Sequence, residues 1–169
     1  KTTWFKNTLF VLVADHTSIS EDPFYTNKVG NNTIPIIFHS GDRSLKAMDS
    51  TVIQQIDIMP SVLDYLHYPA AYFGFGNNAF DTTQSHYAFS YSNDAYQLVD
   101  HKYSFGFNGQ KAIELYNLSK DSLLQTNLID TDTTAIKQQL EQKTKAIIQT
   151  YQQALINNKM YITPSIKKD

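Results

Sequence analysis

Cysteine is absent from the 169 residues of this chain, which excludes disulfides, thiolate nucleophiles and cysteine-based zinc sites. Runs of basic residues are absent too, and the formal net charge is −2, so neither nucleic acid nor an anionic membrane surface is expected as a partner. No stretch approaches the roughly 20 apolar residues of a membrane span. The hydrophobic share of 41% is nonetheless typical of a globular chain, and the length suffices for one domain with its own core.

The chain begins KTTWFKNT, without an initiating methionine or a signal peptide, and a strand pattern follows almost at once. We therefore expect it to be a piece of a longer protein. The alternative is a small natural protein from which the methionine has been removed.

Two apolar segments in the first half predict strands. Residues 8–14 (TLFVLVA) form a continuous, β-branched run of the kind that is buried on both faces of a parallel sheet, and residues 34–38 (IPIIF) form a second. Each is followed by polar residues, 15–18 (DHTS) after the first and 39–42 (HSGD) after the second. Because ligands gather at the carboxyl ends of parallel strands, we expect the two polar segments to line one crevice.

A helix is predicted to begin after Asp57, with this residue as its N-cap and Pro60 in its first turn, and to end near Tyr68. Residues 74–76 (GFG) are predicted to be a flexible turn. They are not expected to bind phosphate, because no helix pattern follows them at the spacing that a phosphate loop needs.

The second half has a different pattern of short, aromatic-rich segments separated by turn signals, of which Asn108-Gly109 is the strongest. This spacing predicts an antiparallel meander of four strands at residues 87–91, 95–99, 102–107 and 112–118. Asp132 is predicted to cap a long amphipathic helix, and the residues expected on its apolar face are Ile136, Leu140, Ile147, Tyr151 and Leu155. The tail from Asn157 is expected to be poorly ordered or to add a strand.

The order of elements predicts an α/β layer over residues 1–80 and a small α+β lobe over residues 81–169, with a four-stranded antiparallel sheet and a long helix. The two parts are expected to form one compact unit.

Asp15 and His16 are the candidate functional residues, as half of a divalent metal site. The carboxylate offers a hard, charged oxygen and the neutral imidazole offers a nitrogen. The structural alternative is a loop-capping aspartate beside a surface histidine. His39 is a candidate further ligand or substrate contact in the same crevice, and its alternative is a structural or surface histidine. Two ligands cannot complete a tight site, and the sequence shows no serine in a strained elbow and no glycine-rich phosphate loop.

Four segments of the chain together resemble the sulfatase and alkaline-phosphatase superfamily. Residues 7–18 (NTLFVLVADHTS) resemble its strand-plus-metal motif, and residues 34–42 (IPIIFHSGD) its Val/Ile-Pro strand before a substrate-side loop. Residues 54–68 (QQIDIMPSVLDYLHY) look like the Ile-Asp-x-x-Pro-Thr/Ser stretch that opens a helix. Residues 114–128 (ELYNLSKDSLLQTNL) are similar to a Glu-Leu-Tyr-Asp-Leu motif with a later Asn-Leu. The order and separations agree, and the resemblance covers nearly the whole chain.

The resemblance implies the C-terminal portion of an alkaline-phosphatase-like three-layer α/β/α fold. It implies that Asp15 and His16 bind a divalent metal, manganese first, with calcium, magnesium or zinc as alternatives. His39 would be a substrate contact. The family's nucleophile lies far upstream with a further acidic ligand, so the implied partners are the missing N-terminal part of the same protein and a phospho- or sulfo-ester substrate.

Within the superfamily, Asp15-His16 followed by Thr17-Ser18 looks most like the branch of lipoteichoic-acid synthases and phosphoglycerol transferases. Many sulfatases have Gly after the His, and calcium-type sulfatases often use Asp-Asn, so both departures favour this branch. It implies a bacterial parent enzyme outside the cytoplasm, anchored in the membrane upstream, whose isolated fragment is inactive.

Three hypotheses therefore stand at the level of sequence. The first is a fragment of a sulfatase-like hydrolase or phosphoglycerol transferase. The second is a degenerate or excised lobe that acts as a structural or binding module. The third, a small carbohydrate-binding domain, depends only on the aromatic content of 13%.

Overall fold

A computed structural model describes residues 2–132 and 134–162, which form two sheets and three α-helices. In chain order the elements are β1 (Leu9–Val13), α1 (Pro23–Thr26), β2 (Ile36–Ser40), α2 (Ile58–Tyr65), β3 (Ala88–Ser92), β4 (Ala95–Val99), β5 (Tyr103–Phe107), β6 (Ala112–Asn117) and α3 (Ile136–Ile156). None of the helices in these ranges is long and apolar enough to cross a membrane.

The first sheet is an antiparallel pair of β1 and β2, in which Val13 lies opposite Ile36 and Leu9 lies opposite Ser40. The two strands are confirmed, but the prediction of parallel strands is wrong. A continuous apolar run indicates burial and carries no information about strand direction. Parallel pairing needs a crossover connection, usually a helix of several turns, and the segment between β1 and β2 contains only short helical turns.

The start of α2 is organised around the buried carboxylate of Asp57, which is 2% exposed. Asp57 occupies the N-cap position as predicted, but its side chain does not cap α2. Its Oδ2 accepts a hydrogen bond from the backbone N–H of Gln54 at 2.9 Å, and its Oδ1 accepts one from Asn77 at 2.8 Å. The carboxylate therefore ties the segment before α2 to the segment after it.

Within the predicted turn at residues 74–76, Gly76 packs closely against the segment before α2. A Cβ added to Gly76 would lie 2.0 Å from the carbonyl oxygen of Ile56, so only glycine allows this close approach of two backbones. Ser61, which is fully buried, holds the next part of the segment by accepting the backbone N–H of Ala79 at 2.8 Å.

The second sheet is the predicted antiparallel meander, in the order β3-β4-β5-β6. α3 packs across one face of it and supplies Leu140 to the core. The buried hydrophobic residues are Leu98, Phe105, Phe107, Leu115 and Leu140. Ile136 and Ile147 pack against this core as predicted, whereas Tyr151 and Leu155 are 47% and 56% exposed.

Two polar side chains complete this lobe. The Asn127 amide pairs with β6 as a strand would, since its Oδ1 accepts the N–H of Leu115 at 3.0 Å and its Nδ2 donates to the carbonyl of Ile113 at 3.1 Å. Asp132 is not the N-cap of α3, a position that Ala135 occupies. Its Oδ2 nevertheless accepts the N–H of Lys137, in the first turn of α3, at 3.2 Å. Asp132 therefore binds a helical N–H group as a capping residue does, although it lies three residues before the N-cap. Residues 163–169 of the predicted tail lie outside the described residues.

Hydrogen bonds and an ion pair connect the two parts of the chain. Gln54 Oε1 accepts the N–H of Phe89 at the start of the meander, at 3.0 Å. Lys28, in the loop after α1, forms an ion pair with Glu114 on β6. The loop around α1 and the segment before α2 are therefore both joined to the second sheet.

Candidate metal half-site

The candidate site lies directly after β1. The strand ends at Val13, and the carbonyl oxygen of the next residue, Ala14, accepts a hydrogen bond from Gln55 Nε2 at 2.9 Å. Gln55 belongs to the segment that Asp57 organises, so the position of the strand end is set by the start of α2. Asp15 and His16 follow this fixed point and are exposed, with 89% and 79% of their side chains accessible.

The Asp15 carboxylate has one occupied and one available oxygen. Oδ1 accepts the backbone N–H of His16 at 3.0 Å, and this contact sets the side-chain orientation. Oδ2 accepts no hydrogen bond from the described residues. Its lone pairs are therefore available to a cation.

The His16 ring is oriented by its neighbour. Nδ1 lies 2.7 Å from the carbonyl oxygen of Thr17, and a carbonyl only accepts, so Nδ1 carries the proton and donates. The neutral ring then has its lone pair on Nε2. This is the arrangement found at metal sites, where a hydrogen bond to one ring nitrogen directs the other nitrogen to the metal.

The two available atoms, His16 Nε2 and Asp15 Oδ2, are 3.6 Å apart. Ligands at about 2.0–2.2 Å from one ion, with tetrahedral or octahedral angles, lie roughly 3.0–3.5 Å from each other. The observed separation of 3.6 Å is slightly longer than this range, and a small rotation of either exposed side chain would bring the two atoms within it. The described residues contain no group of three or more His, Asp or Glu that could hold a metal.

A proton competes with a metal for the same place. The hydrogen bond to the Thr17 carbonyl, followed by the charge of Asp15, raises the pKa of His16 above its usual value. The protonated ring would hold Nε2–H towards Asp15 Oδ2. A cation at this position must therefore displace the proton.

Thr17 and Asn31 support the pair, and sequence reasoning missed them. Thr17 Oγ1 donates to the carbonyl oxygen of Asn31 at 2.7 Å, and this bond fixes the residue whose own carbonyl orients the His16 ring. The only sequence signal was a threonine directly after the histidine. Asn31 lies in the loop between α1 and β2, and no pattern along the chain links it to Thr17.

His39 lies at the other end of the sheet. In the antiparallel register it is opposite Phe10, five residues before Asp15, or roughly 16 Å along the strand. The expectation that His39 and Asp15-His16 line one crevice is wrong, because it depended on parallel strands. The His39 ring instead lies beside the rings of Phe5 and Phe10, with each pair of centroids 6.0 Å apart.

One face of the β1–β2 sheet is uncovered. Phe10 and Leu12 on β1 face the same way as their cross-strand partners His39 and Ile37 on β2. Leu12 and Ile37 are 53% and 51% exposed, and Trp4, whose ring centroid lies 6.1 Å from that of Phe10, is 56% exposed. Exposed apolar residues that are contiguous on a strand pair mark a surface that other protein normally covers.

No protein-family model matches the chain, and no curated protein matches it.

Proposed function

We propose that this chain supplies half of the metal centre of a divalent-metal-dependent ester enzyme. We assign that enzyme to the sulfatase and alkaline-phosphatase superfamily, closest to the lipoteichoic-acid synthases and phosphoglycerol transferases. The supporting observation is the convergence of His16 Nε2 and Asp15 Oδ2 to 3.6 Å at the end of β1. On this proposal the chain contains no nucleophile and is inactive alone.

Asp15 and His16 have distinct tasks in the proposed centre. Asp15 supplies a charged oxygen that offsets part of the cation's charge, and His16 supplies a neutral nitrogen whose direction the Thr17 carbonyl sets. The bound ion, manganese first and calcium, magnesium or zinc as alternatives, would lower the pKa of a nucleophilic hydroxyl and neutralise charge on the transferred phosphoryl or sulfuryl group. His39 is not part of this centre, and its contact with substrate stays a prediction.

The other motifs of the resemblance have structural tasks in this chain. Asp57 and Ser61 of the Ile-Asp-x-x-Pro-Ser stretch tie α2 to residues 77 and 79. Asn127 of the final motif extends β6. Any protein with this arrangement of α2 and β6 would need side chains that make the same hydrogen bonds. This supports treating the motifs as joint evidence for the resemblance.

The uncovered face of the β1–β2 sheet supports a further part of the proposal. We assign it to the contact with the N-terminal part of the parent protein, within a three-layer α/β/α fold. That part would cover Trp4, Leu12 and Ile37 and would bring the nucleophile and a further acidic ligand to Asp15-His16. The parent would act outside the cytoplasm of a bacterium, anchored in its membrane.

Metal titration of the chain tests the half-site. We expect Mn²⁺ to bind weakly, with a dissociation constant above about 10 μM, because two ligands cannot complete its coordination. Asp15→Ala and His16→Ala should abolish the binding seen by calorimetry and by loss of the free Mn²⁺ signal in electron paramagnetic resonance. His39→Ala is the matched control and should change nothing. A dissociation constant below about 1 μM, or binding that survives Asp15→Ala, would contradict the half-site.

Activity measurements test the ester-enzyme assignment separately. The chain alone should not turn over aryl phosphate or aryl sulfate, and robust turnover that is lost in Asp15→Ala would show that it contains a complete site. The full-length gene product should be assayed with phosphatidylglycerol and aryl sulfate in parallel. If it acts on neither and has no Thr, Ser or Cys nucleophile upstream, the alternative of a non-catalytic structural or binding lobe is correct.

A further inference from the structure

The turn between β5 and β6 is held by the side chain of Asn108. Its Oδ1 accepts the backbone N–H groups of Gln110 and Lys111 at 3.0 and 2.9 Å. The backbone N–H of Asn108 donates to the carbonyl oxygen of Lys111 at 3.2 Å. To reach both N–H groups, the carboxamide must fold back over the 108–109 peptide bond, so its Cγ lies beside the nitrogen of Gly109.

Gly109 leaves that nitrogen open to reaction. Its φ is +90°, and a Cβ added to it would meet no atom within 4 Å, so no side chain shields the backbone there. Its N–H donates to none of the described residues, and residues 108–110 are exposed to water. Asn108-Gly109 is also the only Asn-Gly pair in the sequence.

The two hydrogen bonds to Oδ1 activate the carboxamide of Asn108. Attack of a nitrogen on Cγ would place negative charge on Oδ1, and donors that already point at this oxygen stabilise the charge as it forms. The leaving group, Nδ2, donates to none of the described residues, so its departure breaks no hydrogen bond with them. Nucleophile, electrophile and leaving group are therefore arranged within one turn.

We propose that Asn108 is a site of spontaneous deamidation in the folded chain. Hydroxide removes the proton of the Gly109 nitrogen, which attacks Asn108 Cγ and closes a five-membered succinimide ring. Nδ2 takes a proton from water and leaves as ammonia. Water then opens the ring at one of two C–N bonds. Cleavage at Cγ gives aspartate with an unchanged main chain, and cleavage at the main-chain carbonyl gives isoaspartate, with an additional CH₂ group in the main chain.

The turn between β4 and β5 shows that aspartate fits this arrangement. Asp100 Oδ1 accepts the N–H groups of Lys102 and Tyr103 at 2.8 and 2.7 Å, and the N–H of Asp100 donates to the carbonyl of Tyr103 at 3.0 Å. This is the same pattern as at Asn108. An aspartate at position 108 can therefore keep every hydrogen bond of the turn, whereas isoaspartate changes the spacing of its carboxylate from the main chain. The fold should favour the aspartate product, and this proposal is independent of the metal half-site.

The experiment is incubation of the folded chain at mildly alkaline pH in ¹⁸O-labelled water, followed by digestion at acid pH and mass spectrometry of the peptides. We expect loss of the amide at Asn108 with incorporation of the label. The rate should rise in proportion to the hydroxide concentration and should be no lower than in a synthetic peptide of residues 104–113. The fraction of aspartate, separated from isoaspartate by chromatography, should be larger in the folded chain than in the peptide.

Asn27 and Asn93 are internal controls. Asn27 Oδ1 accepts two backbone N–H groups in the same way, but Lys28 follows it and its Nδ2 donates to the carbonyl of Ser122 at 3.0 Å. Asn93 is exposed in the β3–β4 hairpin, but it is followed by Asp94, whose side chain crowds the nitrogen and whose charge opposes loss of its proton. Both asparagines should stay unmodified over the same time.

Asn108→Asp is the matched variant of the favoured product. It should keep the urea midpoint of the unmodified chain, because the turn at Asp100 already contains a carboxylate. The proposal is overturned if Asn108 stays intact in the folded chain, or if it reacts there more slowly than in the peptide, since the turn would then protect the amide. Equally fast loss of the amide at Asn27 or Asn93, or equal aspartate fractions in chain and peptide, would also overturn it.

Discussion

Replacement of Asp57 by asparagine measures how much a buried carboxylate that joins two backbone segments contributes to the free energy of unfolding. Asp57 is 2% exposed, and its two oxygens accept the N–H groups of Gln54 and Asn77 at 2.9 and 2.8 Å. Asparagine has nearly the same shape but only one acceptor oxygen. In Asp57→Asn, one of the two N–H groups therefore faces an NH₂ group and loses its partner.

The cost follows from those contacts. A hydrogen bond to a charged group contributes about 1.5–3 kcal/mol, and a buried donor left unpaired costs about 1–3 kcal/mol. Because the two figures partly count the same loss, we expect Asp57→Asn to lower the free energy of unfolding by about 2–4 kcal/mol. With a urea m value of about 2 kcal/mol/M, the midpoint of unfolding should fall by about 1–2 M.

Asp64→Asn is the control. Asp64 lies in the same helix, is exposed, and accepts one hydrogen bond from Asn78 Nδ2 at 2.8 Å, so its replacement should cost less than about 0.5 kcal/mol. A second readout is Tyr87, whose pKa is raised by burial and by the charge of Asp57. In Asp57→Asn that pKa should move back towards its usual value. Equal unfolding midpoints for Asp57→Asn and wild type would refute the assignment of Asp57 as a buried tie.

Three further predictions concern the lobe and the metal half-site. Asn127→Ala removes the two hydrogen bonds that extend β6 and a third that is accepted from the N–H of Ile129, and should lower the free energy of unfolding by about 2–4 kcal/mol in urea denaturation. Mn²⁺ affinity measured against pH should fall about tenfold per pH unit once the pH drops below the raised pKa of His16, since a proton then occupies Nε2; a flat profile would exclude His16 as a ligand. Thr17→Val breaks the bond to Asn31 and should weaken Mn²⁺ binding by about tenfold, whereas Thr33→Val, which loses a similar bond to Val29 in the same loop, should leave it unchanged.

The meander was predictable because each of its signals is local. Asn108-Gly109 supports a hairpin, Gly109 has a φ of +90°, and the alternation around it places Phe105 and Phe107 in the core. The direction of β1 relative to β2 was not predictable in this way, because strand direction depends on the path of a 22-residue connection with no clear pattern of its own. The misplacement of His39 follows from that single error.

Side-chain contacts with backbone groups distant in sequence were also beyond prediction. The acidic residue of the Ile-Asp-x-x-Pro-Ser stretch looks like an N-cap, because a carboxylate before a helix usually binds the first helical N–H groups. In the fold, Asn77 lies 20 residues away and offers its N–H to Asp57 instead. The requirement for Gly76 has the same origin, since it depends on the approach of residue 56.

The uncovered face and the proposed metal half-site belong to the same strand. β1 ends at Val13 and is followed by Asp15-His16, and its Leu12 side chain is exposed on the uncovered face. Exposure to water of an aromatic group such as Trp4 and an aliphatic group such as Ile37 is unfavourable in free energy. Exposure of the polar side chains of the proposed half-site is not unfavourable, but two ligands alone would bind a metal weakly. A protein layer laid over this face would be held mainly by apolar burial. It would also reach the end of β1, where the proposed metal centre needs further ligands. The surface that stabilises the contact and the site that uses it would then be assembled in one step.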